Sequence, residues 1–345
     1  MAKNIPKYIS NRMIKDDKQF LFETRKSFSV PRYDPKRHYL DLAESNYYHG
    51  LIIFRHYVKI ISDYYFNIKI EAKNVDLFML TSSVSSPTGS GSDSKPVKIK
   101  FGKFDTFLVD SSQFGFEPLL VNNLEKVYCY LPSMRGENPD ERHLNQFFHC
   151  ELEMKGKLDE LIPIIEGYIK ILCEGLLMME NIINKMSSDP QKTKKVLSDV
   201  VKSKCFPKIS FDEAIEILID NGFKECINFT NHGRNISSRG EIELMKMLNI
   251  KIPMWINNFD RDRVPFYQKP YFGNPDKVIN ADLLFPPIIK GAFGGEIVGS
   301  GQRQDNIKEM RASLKRQNNI PSKPYRWYIN LRNHPNYKTT SGFGV

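Results

Sequence analysis

Two hydrophobic periods alternate along this chain. From Tyr48 to Phe66, YHGLIIFRHYVKIISDYYF repeats apolar residues at helical spacing and predicts a long helix. A second helix is expected over 155–186. Its apolar part, LIPIIEGYIKILCEGLLMM (161–179), is interrupted by Glu166, Lys170 and Glu174, so it reads as a buried amphipathic helix and not a membrane span. A shorter helix is expected near 114–124. In FPKISFDEAIEILIDNGF (206–223), Ser210 is placed to cap a helix with Glu213 three residues on, as in a capping box. Strand-like runs are IKIEAKNVDLFML (68–80), VKIKF, DTFLVD and KVYCYLP, then PMWINNF, VINADLLF and GEIVGS in the last third. SSVSSPTGSGSDSKP (82–96) has loop composition and is a candidate flap, and SSDPQKTKKV (187–196) is a lysine-rich connection. Strands cluster, helices flank them and no repeat is visible. The expected class is α+β, a mainly antiparallel sheet with helices packed outside. No strong linker interrupts the chain, so one domain is expected over 45–345, after a polar, basic extension (1–44) with little core of its own.

One stretch combines both periods with charge. In MRGENPDERHLNQFFHCELE (134–153), Glu151 and Glu153 share a strand face, as do Arg135 and Glu137, because strand side chains alternate. The intervening ENPDERHLN has turn chemistry. A hairpin of this kind would aim a guanidinium, carboxylates, an imidazole and a ring at one ligand. It also fits an ordinary hairpin with a solvated charged loop.

Composition narrows the class. The chain has 345 residues, 41% hydrophobic and 26% charged, which fits a globular protein with a sizeable core. A formal net charge of +10 favours polyanionic partners such as nucleotides or nucleic acid, and equally fits a lysine-rich proteome. The five cysteines (129, 150, 173, 205, 226) are widely spaced with no CxxC, so neither a disulfide framework nor a zinc site is indicated, and a reducing cytoplasm fits. The N-terminal residues lack the apolar core of a secretory signal. No membrane partner is expected.

Taken with its company, the hairpin resembles motif 2 of class II aminoacyl-tRNA synthetases, in particular the asparaginyl and aspartyl subgroup. VDSSQFGFE (109–117) resembles the amino-acid-binding loop of the asparaginyl enzymes. FPKISFDEAIEIL, VPFYQK (264–269), NADLLFP (280–286) and GGEIVGSGQR (294–303) follow in family order, and KPYRWYINLR with SGFGV resembles the run into motif 3. The similarity covers roughly residues 45 to 345. It implies an antiparallel sheet flanked by helices and a homodimer built through the helix at 48–66.

The chemistry implied is attack of an amino-acid carboxylate on the α-phosphate of ATP, with pyrophosphate leaving and an aminoacyl-adenylate formed. Positioning and charge stabilisation carry such a step. By resemblance, Arg135 bridges carboxylate and α-phosphate through its planar fork. Glu137 takes the adenine amino group or orients the arginine, Arg142 and His143 meet the γ-phosphate, and Phe147 stacks on adenine. Asp282 and Glu296 match the acids that hold Mg²⁺, a cation that favours hard oxygen ligands; Glu151 is a further acid facing the site. Ser111 and Gln113 match residues around the α-amino group. Glu117 and Arg303 match the acceptor and donor for an asparagine side-chain amide. Phe116 stands where aspartyl members carry a lysine.

The sequence also departs from the family pattern. Only tens of residues precede the catalytic region, where an anticodon-binding barrel needs about a hundred. Val264 and Gly115 replace a usual lysine and a common aromatic, which implies a reshaped pocket. The chain stops at SGFGV, before the Glu-Arg pair that completes motif 3, and a sequence cut short explains this most simply. The expected function is therefore ATP-dependent activation of asparagine, aspartate or an analogue, with transfer to a small acceptor or ammonia. The alternatives are the catalytic part of an asparagine–tRNA ligase, with tRNA as partner, and a non-catalytic nucleotide-binding paralogue.

Overall fold

The computed structural model describes residues 4–19, 34, 36–87, 94–138, 143–289 and 292–345. Its contacts divide the chain into two units, one of residues 1–70, 164–206 and 287–292 and one of 71–163, 207–286 and 293–345. The second holds every described residue singled out above as a site candidate.

Eight strands of the second unit form one sheet: β1 (Lys73–Asn74), β2 (Lys126–Met134), β3 (Gln146–Lys155), β4 (Lys208–Ser210), β5 (Met254–Asn257), β6 (Asn280–Phe285), β7 (Gly295–Gln302) and β8 (Thr340–Gly344). Their spatial order is β1-β2-β3-β8-β7-β6-β5-β4. All neighbours are antiparallel except the two edge pairs, β1 with β2 and β4 with β5. This is the expected α+β architecture. The fold closes in the middle, where the last strand, β8, inserts between β3 and β7. A ribbon of Leu80–Thr81, Val97–Phe101 and Phe104–Leu108 stands apart from this sheet.

The expected capping box is complete. Ser210 Oγ accepts the Glu213 N–H at 3.2 Å, and Glu213 Oε2 accepts the Ser210 N–H at 2.7 Å, starting the helix Phe211–Asp220. That helix buries Phe211, Ala214, Ile215 and Leu218 against Met254, Ile256 and Leu284 of β5 and β6. The helix Gln113–Val121 covers β2, with Phe116 and Leu120 packed on Val127, Cys129 and Leu131.

The first unit is helical. Helix Asn46–Asp63 matches the first expected helix, and a π-helical turn, Tyr64–Lys69, continues it. Within this unit Ser62 Oγ bonds the Tyr168 hydroxyl at 2.8 Å, and the Tyr65 hydroxyl donates to the Ile164 carbonyl at 2.8 Å.

Four local expectations are revised. The N-terminal segment forms a helix, Lys7–Lys18, that buries Ile9 and Met13, because these lie four residues apart on one helical face. Asp17 on that helix accepts the backbone N–H groups of Asn181 and Ile182 at 3.0 and 2.9 Å. The run 68–80 gives only two short strands, Lys73–Asn74 and Leu80–Thr81; its first residues belong to the π-helical turn, and Glu71, whose φ is 59°, separates that turn from the first strand. The helix expected over 155–186 is two, Leu158–Leu176 and Glu180–Met186. The lysine-rich segment is the start of a helix, Pro190–Lys202, in which proline opens the first turn and Asp189 caps the Lys192 N–H.

Candidate active site

The site is built on β3. Its alternation puts Phe147, His149, Glu151 and Glu153 in one row on one face, an extension of the Glu151–Glu153 pair read from the sequence. Phe147 and His149 meet edge to face with centroids 4.5 Å apart. His149 Nδ1 bonds Ser133 Oγ at 2.8 Å and lies 3.8 Å from Glu151 Oε1. Burial pulls the imidazole below its usual range, opposed by Glu151 and reinforced by Arg135. His149 escaped the sequence reading although its place two residues before Glu151 assigns it to the same face.

The loop before the helix Gln113–Val121 docks onto this row. Ser111 Oγ and the Ser112 N–H donate to the two oxygens of Glu151 at 2.6 and 2.5 Å. The Gln113 amide nitrogen donates to Glu153. Arg303, at the end of β7, grips Glu153 with Nε and Nη2 at 3.0 and 2.8 Å. Glu153 is fully buried and its pKa is raised by burial, with the Arg303 charge opposing that rise. Room for this pair comes from β8: a Cβ at Gly342, the residue directly across from Glu153, would lie 2.6 Å from Arg303 Nη2 and 2.7 Å from the Leu152 carbonyl.

At the other end of the row, Arg135 follows the last residue of β2 and places its guanidinium 5.0 Å from the Phe147 ring centroid. Its Nε is buried with no hydrogen-bond partner among the described residues. Glu137 Oε2 accepts the Lys95 N–H at 2.8 Å, and the Gly136 N–H donates to the Lys95 carbonyl at 2.8 Å, so the entry to the loop is tied to the end of segment 82–96. Ser85 and Ser86, at the other end of that segment, are buried and donate to Asp110 through their backbone N–H groups at 3.0 and 2.9 Å. His143 is exposed, and Arg142 lies outside the described residues. A cavity of about 270 Å³ opens beside Ser111, lined by Phe114, Gly115, Leu77 and Trp327 among others. Leu77 takes up the space at Gly115, where a Cβ would come within 2.8 Å of its Cδ1.

Glu117 and Arg303, expected to share one amide as acceptor and donor, have separate buried partners. Glu117 accepts from the Tyr328 hydroxyl at 2.9 Å and from Arg332 Nη2 at 3.0 Å. Its second oxygen makes a 2.6 Å ion-pair contact with Arg332 Nη1 that is not aligned as a hydrogen bond. Tyr328 and Arg332 lie within KPYRWYINLR and carry no mark in the sequence that singles them out.

Asp282 on β6 and Glu296 on β7 converge on Gly299. An ideal Cβ there would lie 3.0 Å from Glu296 Oε1 and 3.8 Å from Asp282 Oδ1, so the glycine leaves a space edged by two carboxylate oxygens. Asp282 is packed deep among protein atoms yet keeps partial solvent access. Burial raises its pKa well above the usual range, and the charges of Glu296 and Glu241 raise it further. Two carboxylate oxygens edging one space fit a hard dication that takes its remaining ligands from water and phosphate. Among the described residues no group of three or more His, Cys, Asp or Glu side chains is arranged to hold a metal.

Comparison with known proteins gives the class to which this sheet belongs. A family model described as tRNA synthetases class II (D, K and N) matches residues 31–345, and the chain belongs to that family. The probable cytoplasmic asparagine–tRNA ligase of Enterocytozoon bieneusi is 33% identical over 241 residues, which are 68% of this chain and 48% of the relative. The asparagine–tRNA ligase of Pyrococcus abyssi is 30% identical over 250 residues, 72% of this chain and 53% of the relative. The chain thus spans about half the length of these relatives. The asparaginyl-tRNA synthetase of Pyrococcus horikoshii, solved with asparaginyl-adenylate, superposes with a TM-score of 0.77 at 23% identity, covering 91% of this chain and 67% of that one.

Proposed function

We propose that residues 45–345 form the catalytic domain of a class II ligase that activates asparagine with ATP and transfers it to tRNA. The observation that carries this reading is the row on β3 with Arg135 over Phe147 at one end and Arg303 on Glu153 at the other. Such a strip suits an aromatic base and phosphates at one end and a zwitterion at the other. The names of the relatives turn the final acceptor from a small molecule toward tRNA, in keeping with a net charge of +10.

In the first step a carboxylate oxygen of the amino acid bonds to the α-phosphorus, the α,β-bridging bond breaks and pyrophosphate leaves. Arg135 draws the two anions together and stabilises the charge that develops on the α-phosphate. Phe147 stacks on adenine, and Glu137, Arg142 and His143 orient the base and outer phosphates. Ser111, Gln113 and Glu151 hold the α-ammonium. Arg303, held by Glu153, donates to the side-chain oxygen, and Glu117 closes that end of the pocket through Arg332. Phe116 is 1% exposed in an apolar cluster, so no cation stands at that position to receive an aspartate carboxylate. Asp282 and Glu296 would hold Mg²⁺, which neutralises phosphate charge when bound. In the second step a ribose hydroxyl of tRNA attacks the adenylate carbonyl and AMP leaves. We further propose a cytoplasmic homodimer.

The test is ATP–pyrophosphate exchange over an amino-acid panel, followed by charging of bulk tRNA. Exchange with asparagine and tRNA charging are expected. Exchange without charging would restore a small acceptor, and no exchange with any amino acid would point to a non-catalytic paralogue.

A further inference from the structure

We propose that Glu241 is a positioning residue that fixes Glu296, and through it the divalent-cation site proposed above. Glu241 lies 55 residues before Glu296 in sequence, yet its Oε2 accepts the Glu296 backbone N–H at 3.0 Å. Glu296 itself is exposed at the start of β7, where the β6–β7 register shifts between Leu283 and Leu284. A ladder irregularity re-aims the side chain beside it. An acceptor from outside the sheet fixes the backbone at that irregularity.

The acceptor is itself rigidly held. Glu241 belongs to the helix Ser238–Met247, capped by Ser237 Oγ accepting the Gly240 N–H at 3.3 Å. Leu244 and Met245 of that helix are buried in the core with Ile227 and Ile236. Gly240 sets the distance, because a Cβ there would lie 2.8 Å from Ile236 Cγ2 and 2.9 Å from Cys226 Cβ. The helix therefore packs at this depth only with glycine at 240, and the next residue delivers the carboxylate. Outer partners of this kind commonly change metal affinity 10- to 100-fold when removed.

The proposal rests on the reading of Asp282 and Glu296 as cation ligands, and the experiment separates the two. Mn²⁺ is titrated into the full chain with ATP, free Mn²⁺ being read by electron paramagnetic resonance, for wild type, Asp282→Asn, Glu241→Gln, Glu241→Ala and Glu241→Asp. Glutamine keeps an acceptor oxygen at the same reach. Alanine removes it and aspartate shortens it. Expected are about tenfold weaker binding for Glu241→Ala and Glu241→Asp and near wild-type binding for Glu241→Gln. Wild-type affinity in Glu241→Ala would overturn the proposal, as would a loss in Glu241→Gln equal to that in Glu241→Ala. If Glu241→Ala does not fold, Glu241→Asp against Glu241→Gln decides in the same way. Binding unchanged by Asp282→Asn would place the cation elsewhere and overturn the metal assignment together with this one.

Discussion

Arg332 holds Glu117 across 215 residues of sequence, with both side chains out of solvent: exposure is 1% for the arginine and 0% for the glutamate. The same guanidinium donates from Nε to the Gln304 carbonyl at 2.9 Å and lies over the rings of Tyr328 and Tyr337 at 4.3 and 5.0 Å. A buried pair so fully engaged orders the wall of the pocket. Removing one partner strands the other. Arg332→Ala is expected to lower stability by about 3–5 kcal/mol, read as a shift in urea midpoint at unchanged slope. Arg332→Ala within 1 kcal/mol of wild type, on the order of an exposed pair, would show the network to be solvated.

Arg135 lies over Phe147 with no hydrogen-bond partner on its Nε among the described residues, as expected of a group reserved for a ligand. Arg135→Ala is expected to slow ATP–pyrophosphate exchange by about 100-fold or more with an unaltered thermal midpoint. Phe147→Leu, which keeps apolar bulk and loses the aromatic face, is expected to raise the KM for ATP more than it lowers kcat. Exchange unaffected by Arg135→Ala would remove this residue from the reaction.

Gly342 is required by what faces it and not by its backbone, since its φ is not among the positive ones. Gly342→Ala drives a methyl into the buried Arg303–Glu153 pair. A cost of about 1–3 kcal/mol in stability and loss of amino-acid-dependent exchange are expected. The measurement is thermal unfolding beside exchange at saturating asparagine, and an active, stable Gly342→Ala protein would contradict the packing described here.

Away from the site, Asp260 accepts from Arg234 Nε at 2.9 Å and from Lys277 Nζ at 2.8 Å, with Asp212 sharing both cations. Burial works to raise its pKa, but these bonds outweigh it and hold the carboxyl at about 2, below its ordinary 3.8. A carboxyl depressed on folding stabilises at pH above its unfolded value, and that stabilisation disappears as pH falls through the folded one. The contribution, about 1–2 kcal/mol after discounting for partial solvent access, should be lost between pH 4 and pH 2. The stability difference between wild type and Asp260→Asn, followed by denaturant unfolding over that range, should shrink toward acid. A difference that stays constant would show that ionisation of Asp260 is not its source.

The sequence by itself determined the local elements and one face of the site. Ser210 and Glu213 sit three residues apart, so their capping box is a property of one helical turn. Glu151 and Glu153 share a face because a strand repeats every two residues, and the same period would have supplied His149. The order of motifs carried the family. What only the tertiary structure decided are pairings that depend on which strands become neighbours. β8 inserts between β3 and β7, which sets Gly342 across from Glu153 and brings Arg303 onto it from 150 residues away. Glu117 faces Arg332, and Glu241 meets the Glu296 N–H, only once the helices that carry these two glutamates are packed in place. Periodicity fixes which way a side chain points from its own element. It carries no information about what another element, placed by sheet order and by close-packing glycines such as Gly240 and Gly342, will set in front of it.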